Sequence, residues 1–172
     1  MKKRGKILNK TNGYLDSIVL GLNDGIIELT GALSGFTLAL QNSQIIAGVG
    51  LITGIAASLS MASSEYLSKK AENRQIKIKN NKPLTAAIYT GIAYFLVVLL
   101  LIFPFFLLSN SFYALTFSII NAIIIILIFT YKTSKKKEFK SRFFEMALLS
   151  LGVATISFGI GLLVRNFFGI KI

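Results

Sequence analysis

The chain reads as an all-α membrane protein, five transmembrane helices in a single domain spanning residues 1–172 with no soluble domain. Three observations lead there. The sequence is 53% hydrophobic with a mean hydropathy of +0.68. Its apolar residues come in blocks long enough to cross a bilayer, and short basic runs separate those blocks. The blocks are Tyr14 to Leu40, Gln44 to Ser68, Leu84 to Leu108, Phe112 to Tyr131 and Phe143 to Phe168. At a rise of about 1.5 Å per residue each matches a hydrocarbon core of roughly 30 Å.

The first block carries Asp24 and Glu28 four residues apart and holds no Lys or Arg to neutralise them. Helical spacing puts both carboxylates on one face. An ionised side chain at the bilayer centre costs about 2.5–3.5 kcal/mol on insertion scales, so the pair requires a proton, a cation or a water-filled cavity. This face is therefore the first candidate for function. The second block is the weakest on hydrophobicity, because Ser58, Ser60, Ser63, Ser64 and Glu65 make its cytoplasmic end polar, and it demands burial against protein or water. The other four are clear. Asn121 in the fourth block is expected to form an interhelical hydrogen bond, Glu145 to lie at a solvated helix end, and Asp16 to complement the positive end of the first helix dipole.

Gly21, Gly25, Gly31 and Gly35 in the first block, with Gly50 and Gly54 in the second, supply the four-residue small spacing that lets helices approach closely in lipid. The connection from Lys69 to Pro83 reads as a helix extension plus a turn, with Pro83 starting the third helix.

The net charge of +12 reports topology rather than a nucleic-acid partner. Seventeen of the 19 Lys and Arg lie before Tyr14, between Lys69 and Lys82, or between Lys132 and Arg142, while the loops near Asn42 and Ser109 have none. With five spans the basic segments share one face, which places the N-terminus in the cytoplasm. Met1 to Gly13 is basic and polar and the apolar segment after it is too long for a signal-peptide core, so the first span is expected to be an uncleaved anchor. The absence of Cys and His from the sequence excludes thiolate and imidazole metal sites and Ser-His hydrolysis.

Met61 and Glu65 share a face of the second helix, as residues i and i+4. Counted from the cytoplasmic ends, Asp24 and Met61 reach one depth, with Glu28 a turn further out and Glu65 a turn nearer the cytoplasm, so the four are expected to string a path. Glu65 has a second reading, an ion pair with Lys69 at i+4. Carboxylates with one thioether make a mostly hard, oxygen-rich site that suits Fe²⁺ or Mn²⁺ better than Zn²⁺ or Cu⁺.

The run Gly21-Leu22-Asn23-Asp24-Gly25, with Ser60-Met61-Ala62-Ser63-Ser64-Glu65-Tyr66-Leu67-Ser68, resembles the vacuolar iron transporter family of iron and manganese carriers. The resemblance covers the first two spans and extends to the rest as span count and topology. It implies a five-span homodimer that exchanges cytoplasmic Fe²⁺ or Mn²⁺ for protons, with Asp24 and Met61 at the membrane metal and proton site, Glu65 as the acid of the second-span motif, and Asn23, Ser60 and Ser64 as accessory positions. Glu-rich and Met-rich cytoplasmic domains of larger members have no counterpart in the Lys69–Lys82 connection, whose one acid is Glu72. The resemblance thus implies a short form, in which Glu28 supplies a ligand that replaces the lost capture capacity or a cytoplasmic iron-handling partner delivers the metal. Its Glu28-Leu29-Thr30-Gly31-Ala32 stretch points to smaller prokaryotic relatives and so to a prokaryotic cell membrane, ahead of a vacuolar one.

These readings lead to a secondary transporter, not an enzyme, with no resident cofactor, in which protons and metal compete for Asp24 and Glu28. The partners are a second copy, the lipid bilayer and the transported ion. A non-transporting membrane anchor that docks a partner protein, and an uncoupled cation channel, are the alternatives.

Overall fold

The computed structural model describes residues 12–76, 82–135 and 137–168. Among them are five helices: α1 (Asn12–Leu40), α2 (Ser43–Ile76), α3 (Pro83–Leu107), α4 (Ser111–Thr133) and α5 (Phe139–Phe168). Four of these, α2 to α5, are long and apolar enough to cross a membrane by length and composition. The one that falls short is α1, not α2 as its serines suggested. Asp16, Asp24 and Glu28 lower α1, whereas α2 runs from Ser43 to Ser64 without a charge, and two of its serines bond to their own helix. Ser58 Oγ donates to the Ile55 carbonyl and Ser63 Oγ to the Leu59 carbonyl, both at 2.8 Å. The α1 helix touches each of the other four, so the helix without a sufficiently apolar stretch is surrounded by protein.

The connections are short and built from side-chain caps. Gln41, with φ of 51°, ends α1 in the left-handed region, and its N–H reaches the Thr37 carbonyl. Asn42 Oδ1 then accepts from Ile45 N at 3.1 Å to start α2. Asn110 caps α4 through Phe112 N and Tyr113 N. Pro83 stands in the first turn of α3, where its missing N–H has no helical acceptor to lose. The expected short connection through Asn80 and Asn81 lies outside the described residues.

Glycines fix the register. Gly21 and Gly25 of α1 lie against Thr90 and against Tyr94 and Val97 of α3, while Gly31 and Gly35 lie against Val153 and Ser157 of α5. Both pairings rise together, so α1 runs parallel to α3 and α5. Gly50 meets Ile102, Gly54 meets Val98 and Gly91 approaches Ser58, so α2 runs antiparallel to α3. A Cβ at Gly21 would collide with the Thr90 carbonyl and one at Gly161 with the backbone of Gly35, contacts that cannot yield as a flexible side chain would. The small residues of α1 are thus used within one chain, against α3 and α5. Between these helices lies a core that includes Ile26, Leu29 and Leu33 of α1 and Tyr94, Val97, Leu101 and Phe105 of α3.

Pro104 interrupts the ladder of α3, since it has no N–H for the Leu100 carbonyl four residues earlier. Asn121 fills that gap: its Nδ2 donates to the Leu100 carbonyl at 3.2 Å, and Ser118 Oγ donates to the adjacent Leu101 carbonyl at 2.8 Å. Asn121 is therefore the interhelical bond its sequence position suggested, with a specific carbonyl to satisfy. Asn121→Leu is expected to destabilise the protein by about 1 kcal/mol, the usual scale for such bonds in membranes. In a Pro104→Ala background the helix N–H returns and the same change should cost much less. A double-mutant cycle of unfolding in detergent measures the difference.

Candidate functional site

Ser17, Gly21, Asp24 and Glu28 follow one another at intervals of four, three and four residues and therefore share one face of α1. At the basic end of this face Glu65 of α2 is buried, 7% exposed, and its Oε1 accepts a 2.6 Å hydrogen bond from Ser17 Oγ. The Thr90 hydroxyl of α3 donates in turn to the Ser17 carbonyl at 3.0 Å. A short polar chain thus ties α2 to α1 and α1 to α3. Tyr14 and Tyr89, with ring centroids 5.4 Å apart, close the same end.

Glu65 does not pair with Lys69 as the i+4 spacing allowed. Lys69 Nζ instead meets Glu72 at 3.0 Å, an i,i+3 pair on the exposed side of α2. The burial of Glu65 turns it toward α1, where a neutral hydroxyl serves as donor without bringing a second charge out of water.

The contact between Glu65 and Ser17 sets the depth of the other residues. Met61, one turn along α2, comes level with Gly21, and Asp24 lies three residues deeper, about 4–5 Å at helical rise. Glu28 is one further turn along α1. Met61 is half-buried against the core. Asp24 is half-buried and Glu28 exposed. The two carboxylates are one helical turn apart on a shared face, a spacing at which like charges repel. Neither has an ion pair among the described residues, where the two salt bridges are Lys69 with Glu72 and Arg142 with Glu138.

Asp24, Glu28 and Glu65 are not gathered into a cage; among the described residues no group of three acids is placed to hold an ion. Asn23 of the accessory positions stands beside Asp24 with its Oδ1 buried and without a hydrogen-bond partner. Ser60 and Ser64 are exposed on α2. Two residues were not singled out from the sequence. One is Ser17, whose signal was its seven-residue spacing from Asp24. The other is Tyr94, almost wholly buried, with its hydroxyl beside Glu28 but short of hydrogen-bond geometry. A hydroxyl within an otherwise apolar run was the signal there.

Residues 15–82 match the model of the VIT family. Over that stretch the chain is similar to the VIT family. The stretch contains α1 and α2 with Ser17, Asp24, Glu28, Met61 and Glu65, so the VIT-family match and the seam of polar residues coincide. No curated protein matches the chain. The VIT-family match over residues 15–82, with four helices long and apolar enough to cross a membrane by length and composition, points to an integral membrane protein and suggests metal-ion transport.

Proposed function

We propose that the protein is a secondary transporter that exports Fe²⁺, and also Mn²⁺, from the cytoplasm in exchange for protons. All five helices span the membrane, and the N-terminus and the basic connections face the cytoplasm of a prokaryotic cell. One observation carries the reading: within the helix that the VIT-family match covers, Asp24 and Glu28 stand a turn apart with no basic partner. An acid in that position is stable when it holds a proton or shares a cation, and a site that alternates between the two couples them.

Asp24 and Glu28 supply hard oxygens, Met61 the soft thioether, and Glu65 an acid at the cytoplasmic end that metal binding would draw away from Ser17. Because the described residues of one chain gather too few acids for a cage, a second copy completes the coordination across a two-fold axis beside the exposed flank of α1. This dimer rests on the acids alone, since the glycines of α1 are taken up by α3 and α5.

Uptake of Fe²⁺, Mn²⁺, Co²⁺ and Zn²⁺ into sealed proteoliposomes tests the assignment. Fe²⁺ and Mn²⁺ are expected to lead. Met61→Ala is expected to weaken Fe²⁺ by about tenfold and Mn²⁺ by less, because the softer ion gains more from sulfur. Equal loss for both ions would remove Met61 from the ligand set. A chain that moves no ion in this assay would be an anchoring subunit instead.

A further inference from the structure

Asp24 borders a cavity of about 1000 Å³ between α1, α4 and α5. It exists because α4 packs chiefly on α3 and α5 chiefly on α1, leaving a gap toward the turn that joins them. Asp16 and Val19 of α1, Lys132 of α4 and its C-cap Ser134, and Arg142 and Met146 of α5 line it from the basic end inward to Asn23 and Asp24. We propose that this cavity is the water-filled route by which a hydrated divalent cation from the cytoplasm reaches Asp24, a proposal that rests on the transport reading above.

Three observations carry it. Within the chain, the approach to Asp24 along the seam between α1, α2 and α3 is closed at the cytoplasmic end by the hydrogen bonds from Ser17 to Glu65 and from Thr90 to Ser17, and by Gly21 lying against the Thr90 backbone. Next, polar side chains stand along the cavity wall from its basic end inward, Asp16, Asn23 and Asp24 on one side and Thr130, Thr133 and Ser134 on the other. A space far larger than the about 30 Å³ of one liquid water, with such side chains on its wall, has both the room and the partners that water needs. Finally, the lining carries Asp16, Asp24 and Glu145 against Lys132 and Arg142, and Arg142 is already engaged by Glu138 at 3.3 Å. The field inside therefore favours a cation, most strongly at its inner end where Asp24 stands.

The sequence contains no Cys, so single cysteines can be placed without background. Val19→Cys and Met146→Cys report on the cavity from two helices, and Leu148→Cys reports on the outer face of α5, where Leu148 is 75% exposed. A membrane-impermeant methanethiosulfonate is added on the side of the basic connections and the rate of modification measured. Because the reaction needs a hydrated thiolate, both cavity cysteines are expected to react at least about tenfold faster than the one at position 148. Relative to a free thiol they should prefer a cationic reagent over an anionic one by several-fold, and Asp24→Asn should reduce that preference. Modification should also block Mn²⁺ uptake.

Modification no faster than at position 148, a charge preference indifferent to Asp24→Asn, or full uptake after complete modification would each overturn the route. The labelling rates do not depend on transport. A protein that moves no metal yet shows fast, Asp24-dependent labelling keeps the cavity as the cation path to Asp24 and refutes only the carrier reading.

Discussion

Asp24→Asn is expected to abolish metal transport while leaving the folded protein intact. Asp24 makes no hydrogen bond or ion pair among the described residues, so the amide costs the fold nothing that the carboxylate contributed. It removes the charge that binds the cation and the proton that would replace it. Even changes outside the first coordination sphere of a metal typically cost 10–100-fold in affinity, so loss of a direct ligand should cost at least about 100-fold. Thermal unfolding in detergent and Mn²⁺ uptake in liposomes, measured on one preparation, separate the two effects. A variant that transports like the parent would move the metal site away from α1.

The second large effect is expected at Glu28. Glu28→Gln should raise the metal concentration for half-maximal transport by about tenfold, again on the scale of a lost ligand interaction. Its dependence on pH follows from linkage. Protons and metal compete for the carboxylates, so raising pH leaves fewer protons bound and tightens metal binding, and alkaline conditions should partly restore the variant through Asp24. If Glu28 serves only as a hydrogen-bonding group beside Tyr94, the amide preserves donor and acceptor and the half-saturation should not move at either pH. Metal titrations at two pH values distinguish these outcomes.

Much of the fold was legible in the sequence because hydrophobic blocks and turn residues are local signals. The boundaries of α3 and α4 fall within a few residues of the apolar blocks, Pro83 opens α3, and Asn121 makes the interhelical bond expected of a lone amide. The first two blocks rank in the opposite order from the one their serines suggest, because carboxylates interrupt the apolar residues of α1 while α2 has an uncharged run from Ser43 to Ser64. For Glu65, spacing along one helix suggested Lys69, and tertiary packing chose Ser17 on another. No pattern within α2 encodes that choice, which depends on which face of α2 meets α1.

The glycines illustrate the same limit. Their spacing correctly announced close helix approach, yet it could not say whether the neighbour belonged to the same chain or to a second copy. The backbones of Thr90, Ser157 and Gly161 supply the answer for α1. The cavity beside Asp24 was hidden for a related reason. It arises from the divergence of α4 and α5, two helices that are individually ordinary apolar spans, and a gap between elements has no sequence signature of its own.

Proton coupling at Asp24 and Glu28 is the central claim, and metal uptake by proteoliposomes under an imposed pH gradient tests it most directly. With equal metal on both sides, an acidic compartment is expected to drive Fe²⁺ or Mn²⁺ into itself against its gradient as protons leave, and Asp24→Asn should eliminate that accumulation. Metal movement that only equilibrates across the membrane, at the same rate and extent with or without the pH gradient, would contradict exchange and make the protein an uncoupled conductor of cations.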